Sequence, residues 1–241
     1  MTKKFKQNLF IVEGSTDKNF IEQFIKLFIA KEKINTANIS HIVTKITEDG
    51  GKSNFFNNKG VDNIVKNIKE NSDDENLPKT SLIVDADWEA HHKEHQPAGY
   101  SNVSMELEKL QDQIKNENFI KNHYALDQFE IDHFIMPFNK ETQKYGELET
   151  LFINALKPEY QNKLNCLDTL EDCLKQKSPK PNIQSHHKDK MRMEILLKSY
   201  NKTMDKAIEW IDYESEILQD LKNFLHKKFS KLELTKNKLC P

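Results

Sequence analysis

Cysteine is scarce in this chain of 241 residues. Cys166, Cys173 and Cys240 are an odd number with no CxxC pair, which argues against a disulfide framework and a cysteine zinc site. Long hydrophobic runs are missing as well: no apolar stretch approaches the ~18 residues a membrane helix needs, so no membrane association is expected. The start, MTKKFKQNLFIVEG, is basic and then apolar in the manner of a signal peptide, but its apolar run is only Leu9 to Val12. That is below the ~7–15 residues of such a region, and no small-residue cleavage site follows. It reads as the first strand of a cytoplasmic protein. Arginine occurs once, at Arg192, beside 35 lysines, a bias that reflects codon usage more than chemistry.

Charge is balanced in sum and uneven in place. The net charge is −2, which argues against a chain that coats nucleic acid by itself. From Lys175 to Pro241 there are 15 Lys and Arg against 9 Asp and Glu, so the tail carries +6 and the first 174 residues −8. An acidic front with a basic tail suits a metal site beside a polyanion contact; a solvated, lysine-rich helical face gives the same count.

What is present is an alternation of strands and helices. NLFIVEG is apolar, β-branched and stopped by Gly14. STDKNFIEQFIKLFIAKEKI follows at helical spacing, with Phe20, Phe24 and Phe28 as core residues, Ser15 or Thr16 as N-cap and Asp17 in the first turn. ISHIVTKI is a second strand, GVDNIVKNIKEN a helix and SLIVDADWE a third strand. A helix over roughly Met105 to Asn116 and the strand FEIDHFIMP follow. This pattern predicts an α/β protein with an open, largely parallel sheet flanked by helices. The last hundred residues are mainly helical: GELETLFINAL, CLDTLEDCLK, KDKMRMEILLKSYNKTMDKAIEWI and SEILQDLKNFLHKKF.

Acids collect where the strands end. Asp85 and Asp87 are two apart, a spacing that on a strand points both carboxylates to one side. Glu13 closes the first strand, and Asp17 lies about one turn into the next helix. In open α/β sheets functional groups gather at the carboxyl ends of strands. Four carboxylates there repel one another unless a cation intervenes, and oxygen-only ligands favour Mg²⁺ or Mn²⁺.

LFIVEGSTDKNFI together with SLIVDADWE resembles the TOPRIM domain of primases, topoisomerases, RecR-type repair proteins and OLD-family nucleases. The resemblance implies that Glu13, Asp85 and Asp87 bind divalent metal and act at a phosphodiester, with Asp17 as the second acid of the first motif. IMPFNKETQKYGELETLF resembles a segment of small standalone TOPRIM proteins near the OLD nucleases, which makes Glu149 the matching acid and Glu147 its neighbour. HHKDKMRMEILLKSYN resembles their later helix, which contributes a lysine: Lys190, with Lys188 as competitor. The core motifs cover about the first 90 residues, and the fainter likeness reaches about residue 200.

The expectation is therefore a TOPRIM-like domain over residues 1–140 and a helical region over 141–241 that completes the site. Such a protein would be a Mg²⁺- or Mn²⁺-dependent nuclease on DNA or RNA, with Lys190 stabilising charge on the phosphate. Relatives work beside an ATPase, sometimes in phage defence, so an ATPase partner follows from the resemblance alone. The rival is a TOPRIM module that binds nucleic acid or a protein partner without cutting. EDGGKS, Glu48 to Ser53, lacks the first glycine of a phosphate-binding loop because position 46 is Ile46. His91, His92 and His95 lack the HExxH order and read as a solvated loop; His186 and His187 beside Lys188 are similarly ambiguous. No tyrosine sits in a strand-passage motif.

Overall fold

Five consecutive residues, Asn8–Val12, form β1, and all five are buried. A strand buried on both faces belongs in the middle of a parallel sheet, where helices cover each side. The computed structural model describes residues 8–35, 40–45, 53–87, 97–123, 129–136, 146–175 and 188–230. After β1 come α1 (Ser15–Lys31), β2 (His41–Lys45), α2 (Ser53–Phe56), α3 (Asn58–Asn71) and β3 (Lys79–Asp85). They are followed by α4 (Tyr100–Asn116), α5 (Asn118–Lys121) and β4 (Ile131–Met136). The C-terminal region holds α6 (Leu148–Asn154), α7 (Pro158–Lys175), α8 (Lys188–Ser199) and α9 (Gln219–Ser230). Among the described residues the strands form one open sheet of four, all parallel, in the order β2-β1-β3-β4.

Alternation along the strands divides the core in two. Phe10, Val12, Ile83, Phe134 and Met136 face one way; Leu9, Ile11, Leu82, Val84 and Ile135 face the other. The second face is covered by α3 and α4, through Ile64, Ile68, Val103, Leu107 and Ile114. The first face is covered jointly by α1 and the C-terminal helices. Phe20, Phe24 and Phe28, the expected core stripe of α1, meet Phe152, Tyr213 and Phe229 at centroid distances of 6.3, 6.3 and 6.0 Å. Burying each such phenylalanine contributes roughly 1.5–3 kcal/mol, so this line of rings holds the C-terminal region on the sheet. An ion pair adds to it: the buried Lys228 of α9 pairs with the half-exposed Asp132 of β4, which also accepts from Ser81 Oγ at 2.9 Å.

Several expected helix boundaries move: α7 begins at Pro158, eight residues before Cys166. α4 begins at Tyr100, five residues before Met105. Gly99, at φ 79°, turns the chain into the helix and donates its N–H to Ala86 O at 2.7 Å. Val103 is the first member of the buried stripe, whereas Met105 is half-exposed. The long helix expected from KDKMRMEILL to IEWI stops at Ser199. Asn201 adopts φ 50°, the Lys202 N–H donates to Leu197 O and the Asn201 N–H to Lys198 O. This is the Schellman closure, for which asparagine is a tolerated left-handed residue. A separate 3-10 segment then runs from Asp205 to Trp210.

Candidate active site

From β1 the chain crosses to β2, then returns past β1 to β3, so its direction reverses between β1 and β3. The helices then leave on opposite faces and the strands' carboxyl ends open a crevice. Glu13 and Asp85 stand at its two lips. The register pairs Val12 with Ile83, which sets Glu13 level with Val84 and beside Asp85. The Asp85 N–H donates to Glu13 Oε1 at 2.9 Å, and Glu13 is buried at 8% exposure.

Asp17 is held from behind. The N-cap of α1 is Gly14, one residue before the expected Ser15 or Thr16. Its N–H donates to Asp17 Oδ2 at 2.8 Å, so the aspartate closes the first turn by reaching back. A Cβ on Gly14 would stand 3.3 Å from that oxygen; glycine leaves the carboxylate its place. Lys45, at the carboxyl end of β2, donates to Ser15 Oγ at 3.2 Å on the same rim.

Asp87 reaches the site by a different route from the one its spacing suggested. β3 ends at Asp85, and Asp87 has left the strand at φ 54°, so two-residue alternation does not apply to it. Backbone bonds place it instead. The Ala86 N–H donates to Met136 O at 2.6 Å, and Asp87 exchanges two bonds with Gly146, N to O at 2.7 Å and O from N at 3.1 Å. Gly146, at φ 128°, adopts a conformation that side chains resist. That bridge ties the turn after β3 to the start of α6. Glu147 is the N-cap of α6, with its N–H accepted by Thr150 Oγ1 at 3.4 Å. Glu149 falls in the first turn and is buried at 9% exposure.

The acids act on one another. Burial pushes Asp85 well above the usual carboxylate range, and the charges of Asp17, Glu13, Asp87 and Glu149 push it further. Burial also raises Asp17, to about 6; the Gly14 N–H opposes this, Glu149 adds to it, Lys190 opposes it and Asp87 adds to it. Five carboxylates from four segments therefore share one electrostatic environment, with Lys190 acting in the opposite sense. Lys190, on α8, and Glu149 also line a common cleft of about 350 Å³, together with Thr16 and Asn19 of α1. The sequence pointed to Thr16 only as a candidate N-cap and did not point to Asn19.

Among the described residues no group of three or more His, Cys, Asp or Glu side chains is arranged to hold a metal ion as it stands. The donor chemistry nonetheless fits a hard divalent cation. Glu13, Asp17, Asp85, Asp87 and Glu149 offer oxygen alone, and the elevation of Asp17 and Asp85 by burial and neighbouring carboxylates is the condition a nearby cation relieves. Lys188 opens α8, but its side chain lies outside the described residues. So do His91, His92, His95, His186, His187 and residues 46–52 of the Gly-Gly loop. Cys166 is exposed and free.

Fold and site together define an α/β protein with an open parallel sheet and a cluster of acids at the strand ends. No described helix is long and apolar enough to cross a membrane. The chain belongs to the DUF3226 family, a protein family of unknown function, whose model matches residues 7–230. No curated protein and no solved structure matches it.

Proposed function

We propose that this protein is a TOPRIM-like, Mg²⁺- or Mn²⁺-dependent nuclease that hydrolyses phosphodiester bonds in DNA or RNA. The observation that carries the reading is the shared electrostatics of Glu13, Asp17, Asp85, Asp87 and Glu149 at the sheet's switch point, opposed by Lys190. Isolated strand-end acids serve many structural ends. Two, Asp17 and Asp85, that are held above the usual carboxylate range by burial and by the charges of their neighbours are costly to keep, and a site for a divalent cation accounts for the cost. These five residues would hold the ion, which when bound acidifies a water and offsets charge on a phosphate oxygen. The chain's own groups do the remaining work. The Asp85 N–H orients Glu13, the Gly14 N–H orients Asp17, and the Gly146 bridge fixes Asp87. Lys190, across the cleft from α1, offers positive charge to the phosphate as negative charge builds on it. An ATPase partner and a role in phage defence belong to the same reading by family resemblance.

A second reading has an observation in its favour. No acidic trio stands ready for a metal among the described residues, and Asp17 already uses one oxygen on Gly14; both suit a TOPRIM module that binds nucleic acid or a partner without cutting. Cleavage of supercoiled DNA and a structured RNA in Mg²⁺, Mn²⁺ or EDTA separates the two. The nuclease reading expects metal-dependent cutting that disappears in the Glu13→Ala, Asp85→Ala double variant. Cutting that survives in the variant, or no cutting with any metal, removes it.

A further inference from the structure

The cleft that holds Glu149 and Lys190 does not stop at the acids. Lys190, Met193, Glu194, Leu197 and Lys198 recur at helical spacing along one stripe of α8, and all line it. Met193 and Leu197 are buried and form an apolar floor. Beyond the end of α8 the cleft continues past Lys202 and Thr203, because the Schellman closure at Asn201 turns the chain there. Lys190 and Lys198 are eight residues apart, which on a helix is about 12 Å. That is too long for one phosphate and spans roughly three stacked nucleotides.

An aromatic group stands beside the far end, adjoining the lining residues Lys198 and Lys202 in the chain without itself lining the cleft. Tyr200, between Lys198 and Lys202, is 43% exposed, one of two large hydrophobic side chains so exposed among the described residues. It is braced rather than loose. Trp210 meets its ring edge-on at 5.3 Å, and Lys163 Nζ lies 4.5 Å from its centroid. Tyr160 stacks on Trp210 at 4.6 Å behind it. An exposed, braced ring beside a line of lysines is the combination that binds single strands, whose bases are free to stack. The acids on this path do not close it: Glu194 pairs with Lys198 at 3.7 Å and Glu209 with Lys202 at 3.5 Å. Both are solvent-screened pairs that a phosphate can replace. Asp205, opening the 3-10 segment, also lines the cleft.

We infer that the α8 cleft is the binding track for a single-stranded nucleic-acid segment leading to the acids, with Lys198 and Lys202 on successive phosphates and Tyr200 stacking a base. The inference rests on the nuclease reading for its purpose, but its test is binding rather than cutting. Fluorescence anisotropy, with Ca²⁺ in place of Mg²⁺, would compare a labelled single-stranded 12-mer with a duplex of the same length. The wild-type chain should prefer the single strand. Lys198→Gln with Lys202→Gln should weaken binding about tenfold or more and reduce the salt slope by about 1.4, two phosphates at ~0.7 each. Tyr200→Ala should weaken it about fivefold or more, with Tyr200→Phe restoring it. Circular dichroism would verify that each variant is folded. Affinity within twofold of wild type in the lysine variant, equal affinity for the duplex, or no single-strand binding by the wild-type chain each overturns the track. A chain that binds in this manner but never cuts would keep the track and reject the nuclease.

Discussion

Asp17→Asn removes a charge while keeping the oxygen that caps α1, and the structure states what that should do to stability. The folded pKa of Asp17 is raised from 3.8 to about 6. A carboxyl raised on folding stabilises the folded state fully below its unfolded value and loses that contribution as pH climbs through the folded value. The window therefore opens near pH 4 and closes just above 6. A shift of about two units at 1.36 kcal/mol each is about 3 kcal/mol, a ceiling because Glu149 and Asp87 share the repulsion. For a chain of this size each kcal/mol moves Tm by about 2–4 °C. In EDTA, the wild-type protein should thus melt several degrees lower at pH 7.5 than at pH 5 on account of this group. Asp17→Asn should recover most of that difference, since an asparagine oxygen still accepts from the Gly14 N–H. Asp17→Ala also loses the cap and should fall below Asp17→Asn by about 1 kcal/mol at both pH values. Added Mn²⁺ should raise the wild-type Tm more at pH 7.5 than at pH 5, and should do little for Asp17→Asn. Differential scanning calorimetry over this range decides the matter. A Tm unchanged by Asp17→Asn at pH 7.5 would refute the view that burial and neighbouring carboxylates hold the Asp17 carboxyl above its ordinary range.

Gly14→Ala should disturb the same acid from the other side, because the new methyl presses on Asp17 Oδ2; about 1 kcal/mol of stability should go in urea titration, with metal affinity by calorimetry falling alongside. Gly146→Ala strains a residue at φ 128° and should cost 1 kcal/mol or more. On the proposed nuclease reading it should also lower cleavage more than a surface Gly→Ala of equal stability cost, since it loosens Asp87. Asp132→Ala strands the buried ammonium of Lys228 and should cost about 2 kcal/mol, whereas Lys228→Met should be nearly neutral; denaturant midpoints of the two variants test the asymmetry. Phe152→Ala, in the seam between α1 and the C-terminal helices, should cost about 3–5 kcal/mol and release the C-terminal region first, visible as faster amide exchange in α9 than in α4.

Local chemistry made much of this protein legible in its sequence. Apolar, β-branched runs such as NLFIV and SLIV are short enough to be only strands, their helical partners repeat at 3.6 residues, and alternation of the two dictates a parallel sheet. Acids that directly follow those strands fall at its carboxyl edge whatever the packing, which is why Glu13 and Asp85 could be named beforehand. Pairing order, and so the reversal that opens a crevice between β1 and β3, is a property of long-range hydrogen bonds that no local window contains. Asp87 reaches the other acids by a different route from the one its spacing suggested: strand alternation does not reach it, and a bridge to Gly146, 59 residues later, holds it there. Glu149 and Lys190 came into view by resemblance alone, since a first-turn glutamate and one lysine among many carry no local signal. The tail of α8 turned on Asn201, where a polar residue accepts a left-handed backbone that periodicity cannot foresee. Tertiary structure alone decided that the phenylalanine stripe of α1 meets the C-terminal helices. Burial of those rings on both sides of the seam brings Glu149 and Lys190 to the acids that the first ninety residues carry.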